Sequence, residues 1–142
     1  MGALSRSVLI RATPEQCYDV IWDFARYPEF QPEMKDVRVE SDSGERAVVW
    51  FKASVIRQVE YVLEFRGGRP RGFTWVQRSG YFKRNSGGWD FKESAGSLTE
   101  ATYTLDFQIP GLVPKAVVQK LTEVNFPKML DTFKRRVESL AG

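Results

Sequence analysis

Apolar and polar residues alternate at the start of the chain and then change to a helical spacing. In residues 7–12 the apolar side chains share one face, which is the period of a half-buried strand: Val8, Ile10 and Ala12. From Thr13 onward the sequence predicts a helix start, with Thr13 as N-cap, Pro14 in the first turn and Gln16 completing a capping box. A strand is therefore expected to lead directly into a helix.

The first helix carries one apolar stripe and ends at a proline-rich hook. The stripe has i, i+3, i+4, i+7 spacing and comprises Cys17, Val20, Ile21 and Phe24. Residues 27–32, with the sequence YPEFQP, contain two prolines, and each proline disfavours helical geometry in the residue before it. We therefore expect a second, short helical segment that stops here.

After Pro32 the pattern predicts about six more strands and no helix until about residue 113. Turns are predicted at 42–44, 66–72, 85–88 and 94–97, where Gly, Pro, Asn, Asp and Ser cluster. The rows of apolar side chains expected on one face are Val37 and Val39; Ala47, Val49, Phe51, Ala53 and Val55; Val59, Tyr61, Leu63 and Phe65; Phe73 and Trp75; Trp89 and Phe91; and Ala101, Tyr103, Leu105 and Phe107. Since each row lies on a single face, the strands should form an antiparallel sheet covered on one side.

The cover is expected to be one long helix over residues 114–140. Its apolar residues recur at helical spacing: Val117, Leu121, Val124, Phe126, Leu130, Phe133, Val137 and Leu140. Pro127 removes the hydrogen bond to the carbonyl of Glu123 and should kink the helix. The expected fold is α+β: a curved antiparallel sheet of about seven strands wrapped on a long C-terminal helix, with two short helices after strand 1, all in a single domain, 1–142.

Composition narrows the chemistry that this domain can perform. With 21 Lys and Arg against 18 Asp and Glu, a net charge of +3 is weak evidence for a polyanionic partner. The chain has no histidine and one cysteine, which excludes imidazole bases, Ser-His and Cys-His pairs and an internal disulfide. No signal peptide and no membrane span is expected, so a cytoplasmic location is predicted. No metal and no cofactor is expected.

The order of elements, together with five short motifs, resembles the SRPBCC superfamily, the helix-grip fold of START domains and birch-pollen-allergen-like proteins. The motifs are Ala12-x-Pro14-Glu15-x-x-Tyr18-x-x-Ile21-x-Asp23, Tyr27-Pro28-Glu29-Phe30-x-Pro32, Gly88-Trp89-x-Phe91, Thr99-x-Ala101-x-Tyr103-x-Leu105, and Phe126-Pro127-x-Met129-Leu130. The likeness is greatest to the polyketide cyclase and coenzyme Q-binding branch. The resemblance implies a hydrophobic cavity between sheet and helix that takes lipids, quinones, polyketides or other apolar ligands.

The candidate ligand-binding residues are mainly the aromatic residues of the inward rows. We expect the pocket to be lined by Phe30 near the mouth, by Phe51, Tyr61, Leu63, Trp75, Trp89, Tyr103 and Leu105 on the sheet, and by Leu121, Asn125 and Met129 on the helix. For any single aromatic, the alternative is ordinary core packing, since cores are built of such side chains. An apolar pocket suits a lipid, a polyprenyl quinone or a polyketide-like aromatic compound, oriented by one or two hydroxyls.

Three functions remain open from the sequence. The first is a carrier, chaperone or sensor of a hydrophobic small molecule. The second is a polyketide or aromatic cyclase, in which case Arg57 or Asp106 is the charged residue nearest the strand ends, although both are expected to point outward. The third is a ribosome- or partner-binding protein, for which the arginines of residues 66–71 offer a basic loop. That loop has no interleaved aromatics for base stacking, so nucleic-acid binding is disfavoured, while contact with a ribosome or an anionic membrane stays open.

Overall fold

Seven antiparallel strands form one curved sheet in the computed structural model, which describes residues 4–141. The sheet order is β1-β7-β6-β5-β4-β3-β2, so β1 and β2 are the two edges. The strands are β1 (Leu4–Ile10), β2 (Met34–Asp42), β3 (Arg46–Ser54), β4 (Gln58–Gly68), β5 (Gly72–Gly80), β6 (Arg84–Glu93) and β7 (Thr99–Gln108). Since β1 and β2 lie at opposite edges, the chain between them must cross a face of the sheet. The predicted helix-grip architecture is confirmed.

The crossing segment contains the two short helices that the sequence predicts after strand 1. Helix α1 spans Pro14–Ile21, and a 3₁₀ segment spans Phe24–Glu29. The capping box at Thr13 is present, because the Thr13 hydroxyl accepts from the Gln16 amide and the Gln16 side chain accepts from the Thr13 amide. The first strand lies earlier than predicted, since it begins at Leu4 and ends at Ile10 rather than covering residues 7–12.

The C-terminal helix runs without a break through three segments of different winding. Lys115–Lys120 is α-helical, Leu121–Asn125 is a π-helical turn, and Phe126–Ala141 is α-helical again. The Phe126 amide donates to the Leu121 carbonyl, and the next residue, Pro127, has no amide proton to donate. The irregularity predicted from Pro127 is therefore present as a π-helical turn immediately before it.

Two positions of the predicted apolar stripe face solvent instead. Val124 is 55% exposed, because the wider π-helical turn changes the phase of the helix before Phe126. Leu140 is 60% exposed, because the stripe continues from Val137 at i+4 to the half-buried Ala141.

The predicted glycine-rich connection at 85–88 is wrong, because these residues lie inside β6. The turn before β6 is residues 81–83, and Gly87 pairs with Leu105 of β7. A side chain at Gly87 would collide with the Thr104 carbonyl and place its Cβ 2.7 Å from a Trp75 ring carbon. Glycine here marks a close approach rather than a turn. The predicted 66–72 loop is likewise shorter, since β4 continues to Gly68 and β5 begins at Gly72.

Gly87→Ala is expected to lower the free energy of unfolding by about 1–3 kcal/mol, because the new methyl group overpacks the space occupied by Trp75 and the β7 backbone. Gly68→Ala is a matched control in a strand, since a Cβ there meets no atom within 4 Å. Urea denaturation of both variants checks this. Equal stability of the two variants would contradict the assigned close approach.

Candidate functional site

The concave face of the sheet and the C-terminal helix form a partly open cavity of about 220 Å³. Ordinary cores contain few voids larger than a water molecule, so core packing alone does not account for a space of this size. The residues that line it are Leu4, Tyr27, Gln31, Glu33, Met34, Phe51, Ala53, Ser54, Val55, Tyr61, Leu63, Phe65, Phe73, Trp75, Phe82, Asn85, Trp89, Tyr103, Leu105, Phe107, Leu121, Asn125, Phe126, Met129 and Phe133. The cavity is therefore predominantly apolar and aromatic.

The core has a solid end and a hollow end. Several fully buried side chains do not line the cavity and fill the space between α1, β1 and the last turns of the C-terminal helix: Ile10, Cys17, Ile21, Leu130 and Val137. The hollow end lies under the π-helical turn, where Leu121, Asn125 and Met129 are only partly buried. This end of the helix is the side on which a guest molecule could enter.

Ten of the eleven predicted site residues line this one cavity. The exception is Phe30, which packs against Tyr27 and Phe133 at ring-centroid distances of 5.8 and 5.4 Å and lies 4.9 Å from the Arg136 guanidinium. Phe30 thus supports Phe133, which does line the cavity. Whether the ten residues bind a ligand stays a prediction.

The polar lining residues that were not anticipated from the sequence include Gln31, Glu33, Ser54 and Asn85. Asn85 lay in the segment mistaken for a connection. Its inward position follows from strand alternation with Trp89 once β6 is known to begin at Arg84. Gln31 follows the 3₁₀ segment in irregular backbone, where no periodic signal exists.

Three tyrosines line the cavity and differ in their hydrogen bonding. The Tyr27 hydroxyl donates to the Ile21 carbonyl at 2.6 Å. The hydroxyls of Tyr61 and Tyr103 have no partner within residues 4–141. Burial raises the pKa of all three phenols, so they are neutral at physiological pH. Two uncharged hydroxyls are therefore available to a guest.

The polar lining also includes Glu33, Ser54 and three carboxamides, of which Gln31 and Asn85 are hydrogen-bonded within the described chain. The Trp75 indole nitrogen donates to Asn85 Oδ1 at 3.2 Å, and Gln31 Nε2 donates to the Met129 carbonyl at 3.2 Å. Gln31 Oε1 is buried and has no partner within the described chain. These hydrogen bonds connect Asn85 to β5 and Gln31 to the C-terminal helix.

Charge is nearly absent from the cavity, because Glu33 is the one ionisable side chain besides the tyrosines in the lining described above. Arg57 is exposed, and Asp106 pairs with Arg84 at 3.0 Å, so both lie outside it. Among residues 4–141 no group of Cys, Asp or Glu side chains is arranged to hold a metal ion. The arrangement suits the binding of an uncharged apolar molecule better than acid-base chemistry.

The convex face of the sheet carries an ion-pair cluster centred on Glu64. Its carboxylate accepts from Arg46 Nε and Arg66 Nε, both at 3.0 Å, and lies 3.7 Å from Arg78. These hydrogen bonds, Arg46 first, lower the pKa of Glu64 from its ordinary 4.5 to about 2. Arg69 pairs with Asp19 at 2.7 Å. Two arginines of the predicted basic loop are therefore occupied within the chain.

Glu64→Gln is expected to lower the free energy of unfolding at pH 7. This loss of stability relative to wild type should shrink as the pH falls. The pKa of Glu64 is 4.5 in the unfolded chain and about 2 in the folded chain. The ion pairs of Glu64 therefore stabilise the fold fully above pH 4.5, and this stabilisation is lost as the pH falls towards 2. Urea denaturation of both proteins at pH 7 and at about pH 3 measures this difference. A deficit that is equal at both pH values would contradict the ion-pair account.

Among residues 4–141 no helix is long and apolar enough to cross a bilayer.

Comparison with known proteins places this geometry in a family. The family model described as "Polyketide cyclase / dehydrase and lipid transport" matches residues 10–134. The ribosome association toxin RatA of Vibrio cholerae serotype O1 is 26% identical over an alignment of 145 positions that covers 100% of this chain and 99% of that protein.

Solved structures show the same fold. A START superfamily protein from Mycobacterium smegmatis superposes with a TM-score of 0.85 at 17% identity, covering 99% of both chains. The Zhui aromatase/cyclase from Streptomyces sp. R1128 gives 0.84 at 15% identity, covering 96% of this chain and 93% of that one. These likenesses do not single out the coenzyme Q-binding branch, which stays a prediction. Because the family model matches most of its length, the chain belongs to the polyketide cyclase/dehydrase and lipid-transport family.

Proposed function

We propose that the protein binds an uncharged hydrophobic small molecule in the cavity and acts as its carrier, chaperone or sensor. The observation that carries this proposal is the unfilled, aromatic-lined cavity of about 220 Å³ under the C-terminal helix. Binding sites for apolar ligands are concave, mostly apolar and supplied with a few polar groups that orient the ligand. The free hydroxyls of Tyr61 and Tyr103 have that role here. The guest is a lipid, a polyprenyl quinone or a polyketide-like aromatic.

Binding without turnover fits the lining better than catalysis does. A general acid or base works best when its pKa lies near the working pH. The buried phenols of Tyr61 and Tyr103 are shifted away from that range, and Glu33 is the one carboxylate in the described lining. Neither phenol is tuned for proton transfer at neutral pH.

A polyketide or aromatic cyclase is the second candidate, supported by the family description and by the likeness to the Zhui aromatase/cyclase. In that case the cavity wall would act by folding a flexible chain into a reactive conformation rather than by acid-base chemistry. The two candidates differ in the fate of the guest, which a carrier releases unchanged and a cyclase converts.

A ribosome-binding regulator is the third candidate, supported by the likeness to RatA of Vibrio cholerae. The internal pairing of Arg66 and Arg69 weakens the basic loop as a contact surface. Substituting Arg66, Arg69 and Arg71 with Gln separates this candidate from the others. Only ribosome co-sedimentation should suffer if it is correct, and hydrophobic-ligand binding should stay unchanged.

Native mass spectrometry of the purified protein tests the proposed function. We expect a fraction of the protein to carry one copy of a co-purifying molecule, which organic extraction releases and high-resolution mass analysis identifies as uncharged and apolar. Leu105→Trp, which places an indole in the cavity, is the matched control and should purify empty. A wild-type protein that is empty and also fails to bind added apolar probes would contradict the proposal.

A further inference from the structure

We infer that Asn85 presents an N–H donor to the cavity and thereby selects apolar ligands that carry a neutral oxygen acceptor, above all a ketone or quinone carbonyl. This inference rests on the proposed function, because it names the chemistry of the molecule that the cavity takes. It goes further in assigning one side chain, and one hydrogen-bond direction, to the recognition of that molecule.

The orientation of the Asn85 carboxamide is fixed by Trp75. An indole nitrogen can only donate a hydrogen bond, so the atom that accepts at 3.2 Å must be Asn85 Oδ1. The two ends of the amide are thereby distinguished, and Nδ2 is the end left over. A buried amide that could rotate freely would serve donors and acceptors alike, but this one cannot rotate without leaving the Trp75 N–H unpaired.

The free Nδ2 end faces the cavity. Asn85 lines the cavity and is only 8% exposed, so little of its surface contacts outer solvent. Asn85 Nδ2 has no hydrogen-bond partner within residues 4–141. It is not one of the unpartnered polar atoms that have no accessible surface, so it keeps some accessible surface. A buried donor without a partner is unfavourable, and a ligand acceptor in the cavity would satisfy it.

Neighbouring groups reinforce the preference for a neutral acceptor. The Tyr103 ring lies 5.3 Å from Trp75, and its unpartnered hydroxyl can rotate to donate to the same ligand. The lining described contains no Lys or Arg that could balance a carboxylate, and its one acid, Glu33, would repel one. Free fatty acids and other anions are therefore disfavoured, while a carbonyl on an apolar ring system fits.

Two nearly isosteric probes test this inference. 2-Acetylnaphthalene and 2-ethylnaphthalene share ring system and size, and differ by a carbonyl oxygen in place of two hydrogens. Equilibrium dialysis with absorbance detection gives the dissociation constant Kd of each probe. The quantity of interest is the ratio of the hydrocarbon Kd to the ketone Kd, which cancels the general apolar contribution. We expect Asn85→Leu to reduce this ratio by roughly three- to tenfold, which is the change in affinity expected for the loss of one neutral hydrogen bond.

Two further variants keep the test decisive. Asn85→Leu leaves the Trp75 N–H unpaired and can fail to fold, so the double variant Trp75→Phe/Asn85→Leu removes both partners together and should show the same reduced ratio. Trp75→Phe alone keeps the Asn85 donor and should retain most of the wild-type ratio. Thermal unfolding monitored by circular dichroism shows which variants are folded.

The outcomes separate this inference from the proposed function. A reduced ratio in the folded Asn85 variants supports the inference. A ratio equal to that of wild type, with both probes still bound, would overturn the role of Asn85 and leave the proposed function intact. Wild-type protein that binds neither probe would overturn both.

Discussion

Leu105→Trp should weaken the binding of 2-acetylnaphthalene by at least about tenfold, a loss of about 1.4 kcal/mol or more. Leu105 lies on the concave face of β7 and lines the cavity, next to Gly87, which has no side chain. Side chains on a strand stand roughly perpendicular to the sheet, so an indole at this position must project into the space that the guest needs. The void accommodates the ring, and the protein should remain folded.

Thr104→Trp is the matched control for this substitution. Thr104 is the preceding residue on β7 and therefore faces the convex side, where its hydroxyl lies 3.5 Å from that of Ser5. The same indole there should leave binding within about twofold of wild type, since it touches no lining residue. Isothermal titration calorimetry of both variants measures the contrast. Equal affinities for the two variants would place the binding site elsewhere.

Leu130→Ala should lower the free energy of unfolding by about 2–5 kcal/mol, the largest stability effect that we expect. Leu130 is fully buried in the solid end of the core and does not line the cavity. Its truncation opens a new void between the C-terminal helix and α1 or β1. For a domain whose total stability is of the order of 5–15 kcal/mol, this is a large fraction.

Leu140→Ala makes the same chemical change on the same helix and serves as control. Its side chain is 60% exposed, so the expected change is within about 0.5 kcal/mol. Urea unfolding monitored by circular dichroism compares the two variants. A loss in Leu130→Ala no greater than that in Leu140→Ala would refute the division of the core into a solid and a hollow end.

The sequence predicted the fold well where the periodic pattern was uninterrupted. The row Val59, Tyr61, Leu63 and Phe65 is buried along β4 as its alternation predicts. The capping box at Thr13 lies at the start of α1. In such segments local propensity and burial favour the same conformation, so the apolar pattern alone is sufficient to predict the secondary structure and the buried face.

The prediction failed where a tertiary contact overrides a local signal. The glycines near residue 87 resemble a turn, but the missing side chain of Gly87 leaves room for the Trp75 ring and the neighbouring β7 backbone, which are distant in sequence. This mistake also concealed Asn85, because a residue assigned to a loop has no inward or outward face. Phe30 was placed at the pocket mouth from its position in the hook, whereas its ring packs on Phe133.

The void itself could not be derived from the apolar pattern. Inward aromatic rows are equally consistent with a filled core, and the expectation of a cavity came from the family resemblance. What leaves the space open is the placement of the C-terminal helix. Its π-helical turn, with the half-buried Leu121 and Asn125, spans the hollow end without filling it.

A crystal structure of the protein in complex with 2-acetylnaphthalene tests the central claim most directly, because it locates the guest. The account predicts electron density for one naphthalene ring inside the cavity, between the Trp75 and Tyr103 side chains of the sheet and Met129 of the helix. It would be contradicted by a cavity filled by the protein's own side chains, or by a guest bound only at the outer surface.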